Sequence, residues 1–294
     1  MSSIIKKVSI AISQKKTEVI DVLNIVKKIL DRHNINIFTL VDLSRIKYRP
    51  MDNSMEIPQI DFQGDIIITI GGDGTVLRTL LFSKDKDIPI LSIGLGELNF
   101  ISSTDRWNFR EDIEKLLAGK FYIRREMRLA PEVGKLGYIL PPVLNEVVYH
   151  SSNIGKTLLP KIYINITGDK RALWSVKSDG VLVSTPIGST AYSFAAGGPI
   201  IDTNLEAIVI TPLIPTTKIP SYVINPDARV HLSSDRSRSK PTLILDGQIT
   251  INLDWEDEVI VKKSADYAYI ITFDKEVNLR RMQRVAKRYG GVKE

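Results

Sequence analysis

The chain has 294 residues, 43% of them hydrophobic and 25% charged, which is ordinary for a folded globular protein and enough for about two domains. It contains no cysteine, which excludes disulfides, thiolate metal sites and a cysteine nucleophile, and its three histidines, His33, His150 and His231, are too scattered to argue for a histidine-rich metal centre or a Ser-His-Asp triad. A net charge of +6 favours anionic ligands such as nucleotides and phosphates, but no nucleic-acid motif accompanies it; no apolar run approaches the ~20 residues of a membrane span, and no signal-peptide core precedes the first strand, so a cytoplasmic protein with neither a nucleic-acid nor a membrane partner is expected.

Taken in order, Lys7 to Ser13 reads as a first strand, and Val19, Ile20, Leu23, Ile25, Val26, Ile29 and Leu30 recur after it at near-helical spacing. Ile35 to Val41 gives a second strand, and Asp42 to Gln63, with Pro50 and Pro58, reads as a long surface loop. A strand from Asp65 to Ile70, a helix from Thr75 to about Ser83 and a strand from Ile88 to Ile93 follow. Strands alternating with helices imply right-handed βαβ units, hence a Rossmann-like parallel sheet in an α/β N-terminal domain. After a short helix from Asn108 to Leu117 the pattern turns to repeated strands: Arg124 to Val133, Leu144 to His150, Lys161 to Thr167, Gly180 to Ser184, Ala207 to Thr211, Ala228 to Leu232, Thr242 to Leu245, Glu258 to Val261 and Tyr267 to Phe273. Their spacing, with Gly, Pro, Asn and Asp between, predicts an all-β, sandwich-like C-terminal domain over 121–273. Residues 274–294 become helical again and are expected to return to the first domain, 1–120; Arg280, Arg281, Arg284, Lys287 and Arg288 there read as one exposed basic face.

Chemistry enters where the run Ile66 to Ile70 stops at Gly71-Gly72-Asp73-Gly74-Thr75. A buried strand, a glycine turn and a helix start aim backbone N–H groups and the positive end of a helix dipole at an anion. An aspartate in such a cradle repels the ligand unless it takes a proton from a reacting hydroxyl or helps to hold a metal ion. The plainer alternative makes Asp73 the N-cap of the helix. Gly94-Leu95-Gly96 falls at the carboxyl end of the next strand, so two glycine turns face one crevice of the parallel sheet.

In the β-rich half, Ser178-Asp179-Gly180 and the run Ser184-Thr185-Pro186-Ile187-Gly188-Ser189-Thr190-Ala191-Tyr192 are too small and hydroxyl-rich to build a core and suit a surface where a flat ligand meets backbone. Asp179 and Thr190 can hydrogen-bond a base or ribose, and Tyr192 offers a ring to stack on. Asn145-Glu146 is a second polar pair in a strand context, where an edge-facing, solvated position is the ordinary reading.

Together these stretches resemble the NAD kinase family, and the resemblance runs through most of the chain. It rests on Gly71-Gly72-Asp73-Gly74-Thr75, Gly94-Leu95-Gly96-Glu97-Leu98-Asn99-Phe100, Asn145-Glu146, Asp179-Gly180, Ser184 to Tyr192, Gly197-Gly198-Pro199-Ile200 and Asp246-Gly247-Gln248, in the family's order. The resemblance implies that Asp73 is the general base at the 2′-hydroxyl of the adenosine ribose of NAD. It places Gly72, Gly74, Thr75, Arg78 and Phe100 beside the nucleotides, and gives Asn145 and Glu146 the dinucleotide. Asp179, Thr190, Ala191 and Tyr192 then line the adenosine pocket, with Ile187 at a dinucleotide-binding position, Gln248 near the ligand and Lys156 and Lys177 as cations. It also implies ATP or polyphosphate as donor, Mg²⁺ or another divalent cation, and a homo-oligomer, dimer or tetramer. Two departures stand out: Ile187 replaces the usual threonine or serine before Gly188, and Asn99 replaces the usual glycine before Phe100. The rival readings are a lipid or sphingoid kinase sharing the Gly-Gly-Asp-Gly-Thr turn, whose downstream glycine-asparagine-aspartate signature is missing here, and a nucleotide-binding regulator without chemistry.

Overall fold

A computed structural model describes residues 5–13, 17–46, 57–84, 87–96, 99–134, 138–236 and 239–289. They divide into two compact units: the described residues up to 126, with 267–281, form the first, while those of 127–266, with 282–289, form the second. Among the described residues no helix is long and apolar enough to cross a membrane.

The first unit is built on one seven-stranded sheet. Strands β1 (Lys7–Ile12), β2 (Asn36–Asp42), β3 (Ile66–Gly71), β4 (Ile90–Gly94) and the short β5 (Thr104–Asp105) pair in parallel, as the alternation with α1 (Thr17–Arg32), α2 (Asp73–Phe82) and α3 (Phe109–Leu117) requires. β3 and β4 are buried along their whole length, which is why they read as unbroken apolar runs rather than alternations. Val8, Ile10, Ile12, Ile66, Ile68 and Ile70 share one core with the inner stripe of α1 and with Phe109, Ile113 and Leu116 of α3. Ile20, counted in the helical stripe from sequence, is exposed; Val22 takes its place on the buried face. Part of the segment expected as a surface loop is core, since Leu43 and Phe62 are fully buried, while Pro50 lies outside the described residues.

Two further strands complete this sheet, and both correct the reading from sequence. The segment Arg124 to Val133 is not one strand: it breaks at Met127-Arg128 into β6 (Tyr122–Glu126) and β7 (Leu129–Val133), which join different sheets. β6 runs antiparallel to β19 (Ala268–Thr272), and β19 pairs with β4, so two stretches assigned to the β-rich region by their alternation close the first sheet instead. Period-two patterning identifies a strand but not the sheet it joins.

The second unit holds two six-stranded antiparallel sheets. One has the order β11 (Lys170–Ser175), β10 (Pro160–Asn165), β15 (Arg229–Ser234), β18 (Val259–Lys263), β7, β8 (Tyr138–Ile139). The other has the order β14 (Tyr222–Ile224), β13 (Ile208–Leu213), β12 (Gly180–Ser184), β9 (Glu146–Ser151), β16 (Pro241–Leu245), β17 (Ile249–Asn252). β11, β14 and β17 are not among the strands expected from the sequence: each lies at a sheet edge and is either short or largely exposed, so it lacks a long buried apolar run. A single helical turn, α4 (Tyr192–Ala195), follows β12, and α5 (Val277–Tyr289) is the last described element.

Candidate active site

In the first unit the two glycine turns sit side by side. Gly71 and Gly94 are register partners at the ends of β3 and β4, and the Leu95 amide donates to the Gly71 carbonyl at 2.9 Å. A Cβ on Gly71, whose φ is +154°, would meet Thr75 Oγ1 at 2.2 Å, so the turn accepts no side chain there. Helix α2 begins at Asp73 with Gly72 as its N-cap, so Asp73 is not the cap. Its carboxylate reaches the second turn instead: Oδ2 accepts from the Phe100 amide at 2.8 Å and Oδ1 from the Ile101 amide at 3.1 Å. Burial raises the Asp73 pKa above the usual carboxylate range, while the two amides, the Arg281 charge and the Ser102 hydroxyl oppose the shift. The result is an oriented acceptor with unused lone pairs at a helix start.

The residues around it fall into place unevenly. Thr75 is buried, its amide donating to the Gly72 carbonyl at 2.9 Å, and Gly74 is exposed at the mouth of the turn. Arg78 points elsewhere: its guanidinium donates to the carbonyls of Leu43 and Ile46 at 2.9 and 2.8 Å and lies over the Phe82 ring. Asn99 explains its own departure from glycine. It stands at φ +42°, a region in which asparagine is the best tolerated side chain after glycine, and its amide group bridges Gly96 through Oδ1 at 3.1 Å and Nδ2 at 2.6 Å. Glu97 and Leu98 lie outside the described residues.

In the second unit a polar cluster gathers at one end of the central strands β12, β9 and β16. Register places Ser184 opposite Glu146 and Leu245 opposite Val147, so Asn145-Glu146, the run after Ser184 and the turn Asp246-Gly247-Gln248 meet there. Asn145 and Glu146 are central and buried, not edge-facing, and among the described residues Asn145 Oδ1 and Glu146 Oε2 have no partner. Two unsatisfied buried acceptors at the mouth of a sheet are a cost unless a ligand hydroxyl or amine supplies the donors. Asp246, at φ +48° in an Asp-Gly turn, underpins the pair by accepting from the amides of Leu144 (2.8 Å), Asn145 (2.8 Å) and Glu146 (3.0 Å). Burial and the Asp246 charge push Glu146 up to about 8, and burial pushes Asp246 up to about 6. Arg128, fully buried, donates to the Pro142 carbonyl and stands close enough to Asp246 to temper that rise. Sequence reading missed this support; an Asp-Gly turn signals a hairpin, but nothing in it says that the side chain points inward.

The hydroxyl-rich run is anchored from below. Thr185 Oγ1 donates to the Leu144 carbonyl at 2.6 Å and accepts from the Gly188 amide at 3.0 Å, and a Cβ on Gly188 would fall 2.1 Å from the Asn145 carbonyl. Ile187 is buried and offers only its carbonyl, which accepts from Thr190 Oγ1 at 3.2 Å. Ala191 and the exposed ring of Tyr192 follow, and Gln248 closes the hairpin turn by donating its amide to Leu245 at 2.8 Å. Asp179, Lys177 and Lys156 do not join this cluster. They sit at the opposite end of β12, where the Ser151 amide donates to the Asp179 carbonyl at 2.9 Å and the Thr216 amide to that of Lys177 at 2.8 Å, roughly 17 Å of strand away.

Among the described residues no group of three or more His, Asp or Glu side chains is placed to hold a metal ion.

Comparison with known proteins adds the lineage. Residues 8–121 match the ATP-NAD kinase N-terminal domain and residues 144–273 the ATP-NAD kinase C-terminal domain. The chain is 34% identical over 230 residues to an NAD kinase of Methanothermobacter thermautotrophicus, covering 75% of this chain and 79% of that one. It is 36% identical over 234 residues to an NAD kinase of Thermoplasma acidophilum, covering 79% and 82%. Among solved structures, a yeast NADH kinase complexed with NADH superposes with a TM-score of 0.82 at 22% identity over 98% of this chain and 89% of that one. An Archaeoglobus fulgidus NAD kinase in complex with ATP gives a TM-score of 0.73 at 21% identity over 95% and 98%; both likenesses concern the fold. With relatives above 30% identity that it covers for more than two thirds of their length, this chain belongs to the NAD kinase family.

Proposed function

We propose that the protein is an NAD kinase, a phosphotransferase that moves the terminal phosphoryl group of ATP to the 2′-hydroxyl of the adenosine ribose of NAD, giving NADP and ADP. The observation that carries this reading is the Asp73 carboxylate, fixed at the first turn of α2 by the amides of Phe100 and Ile101 and flanked by two glycine turns. Asp73 accepts the proton of the 2′-hydroxyl as its oxygen bonds to the γ-phosphorus, and the bond to the β–γ bridging oxygen breaks to release ADP. Transfer of this kind proceeds through a loose transition state, so positioning and charge neutralisation supply most of the acceleration, and the base adds about 10²–10⁴-fold. Burial favours the role, because a raised pKa makes Asp73 a stronger base than an exposed aspartate. A divalent cation bound with ATP would neutralise the donor phosphates.

Within the second unit, Asn145 Oδ1 and Glu146 Oε2 are acceptors awaiting donors, which suits the paired hydroxyls of a ribose. A carboxyl held protonated up to about 8 also donates, so Glu146 can both give and take a hydrogen bond in such a pair. Tyr192 presents an exposed ring on which a base can stack, next in the chain to Thr190 and Ala191, and Gln248 lies in the turn at the same end of the central strands. Asp179, Lys177 and Lys156, remote in the same chain, fit the dinucleotide through a second copy, and a homo-oligomer follows from that reading. Arg78, held to backbone carbonyls, shapes the turn rather than binding nucleotide.

Incubating the purified protein with NAD, ATP and Mg²⁺ and assaying NADP tests the proposal. NADP formation is the expected result; none from NAD or NADH, with ATP or polyphosphate, would sink it. Replacing ATP by polyphosphate and NAD by NADH settles donor and acceptor preference in the same assay.

A further inference from the structure

One aromatic ring of the first unit belongs neither to its core nor to the turn that carries Asp73. Of the three tryptophans only Trp107 is exposed, at 78%, while Trp174 and Trp255 are half-buried. Its backbone is nonetheless fixed from both sides. Asp105 Oδ1 accepts from the Trp107 amide at 2.9 Å and from the Asn108 amide at 3.0 Å, which sets the turn into α3. The preceding residue, Arg106, donates to the Leu95 carbonyl and pairs with Glu18 in the first turn of α1 at 2.8 Å. An indole on such a mount has only two side-chain torsions left to order, so it offers a large flat surface at low entropic cost.

Strand register gives the place of this ring. Gly71, Gly94 and Asp105 are successive partners across β3, β4 and β5, which puts Asp105 about 10 Å from Gly71 at the carboxyl end of the parallel sheet. Trp107, two residues on, therefore lies within roughly 17 Å of Gly71. Ligands of parallel sheets sit beyond these strand ends. An extended nucleoside triphosphate with its last phosphate at the Gly71–Asp73 turn is long enough to bring its nucleobase to Trp107. The Arg106 guanidinium lies 5.9 Å from the centroid of the ring, whose exposure leaves a face open for stacking.

We propose that Trp107 is the stacking platform for the nucleobase of the phosphoryl donor, so that the protein prefers a nucleoside triphosphate to base-free polyphosphate. The proposal rests on the kinase reading given above and names what that reading leaves open, the group that tells the two donors apart. Their phosphates are chemically alike, so glycine turns that cradle phosphate treat both donors similarly, whereas a surface for a flat ring favours only one of them. Stacking meets the face of a nucleobase and not its hydrogen-bonding edge, so Trp107 separates ATP from polyphosphate much more sharply than ATP from GTP.

The test compares wild type, Trp107→Ala and Trp107→Phe, each as the full chain with Mg²⁺, in KM for ATP, KM for NAD and calorimetric titrations with ATP and with inorganic tripolyphosphate. Trp107→Ala is expected to raise the KM and Kd for ATP about tenfold with kcat little changed, and to leave the KM for NAD and the Kd for tripolyphosphate as in wild type. Trp107→Phe should retain most of the ATP affinity. ATP should also quench the tryptophan fluorescence of wild type but not of Trp107→Phe, and tripolyphosphate should quench neither. Unchanged ATP constants in Trp107→Ala overturn the proposal. An equal loss for ATP and tripolyphosphate overturns it too, since the residue would then support the turn and not the nucleobase, and so does a rise in the KM for NAD alone. Should Trp107→Ala fail to fold, equal quenching by ATP in wild type and Trp107→Phe overturns it instead. If no donor yields NADP, the kinase reading fails by itself, and the titrations still report whether the ring holds a nucleobase.

Discussion

At the scale of single residues, Asp73 is tied down before any substrate arrives. Each of its oxygens accepts one backbone amide, so the side chain is pre-aimed and need not be ordered during reaction. Asp73→Asn keeps the shape, but an amide cannot take the proton and one of its ends would oppose an N–H. We expect kcat to fall by about 10²–10⁴ while the fold and NAD affinity persist; circular dichroism and calorimetric NAD titration beside the NADP assay check this, and near-wild-type turnover would remove Asp73 from the mechanism. Tyr192 is a contrasting case, since its ring is exposed and makes no part of the core. Tyr192→Ala should chiefly raise the KM for NAD, by roughly tenfold on the scale of base–aromatic stacking, and an unchanged KM would mean that the ring does not meet the ligand. The two departures from the family pattern are both mild here for physical reasons. Ile187 contributes a carbonyl and a buried side chain, and Asn99 occupies a left-handed position that its side chain stabilises by bridging Gly96.

At the scale of elements, the glycines decide how closely backbones meet. Gly188 brings the hydroxyl-rich run against the Asn145 carbonyl, where a Cβ would sit at 2.1 Å from an atom that has no room to yield. Gly188→Ala should therefore lower the urea midpoint by about 1–3 kcal/mol of stability and weaken NAD binding together; unchanged stability would mean that the strand ends separate freely. Glycine turns and apolar runs are local signals, so the β3–Gly71–α2 unit, the β4 turn, and the strands that carry Glu146 and Gly180 were legible in the sequence. Partnership between distant segments was not. Nothing local distinguishes β6 and β19, which complete the first sheet, from the strands of the second unit, and the break at Met127-Arg128 carries neither glycine nor proline. The basic stretch of α5 misled for a related reason: amphipathic spacing predicts which residues share a face, but not that Arg281 among them is buried by the segments around it. The separation of Asp179 from Tyr192 follows from the strand between them: only 13 positions apart in the chain, they lie at opposite ends of β12.

At the scale of the whole molecule, burying Asn145-Glu146 above Asp246 trades stability for a ready site. Glu146 rises from 4.5 to about 8 and Asp246 from 3.8 to about 6, in both cases first through burial. Between the ordinary and the raised value the folded chain keeps a proton that the unfolded chain has released. The favourable contribution is thus complete below about pH 4, the range where both chains are protonated, and is lost as the pH climbs through 6 for Asp246 and 8 for Glu146. Without nucleotide, the urea midpoint should accordingly decline between about pH 5 and pH 8.5. Glu146→Gln replaces the protonated acid by a neutral group of the same shape, so it should match wild type near pH 5 and exceed it at pH 8.5 by on the order of 3 kcal/mol. Relative to the ionised carboxylate, the same variant loses an acceptor for the ribose hydroxyls, so at pH 8.5 its NAD affinity should fall even as its stability rises. Parallel pH series of denaturation and of NAD titration separate these effects. A variant no more stable than wild type at pH 8.5 would mean that Glu146 ionises in its ordinary range in the folded chain, and its part in the site would then be that of a charge rather than of a shared proton.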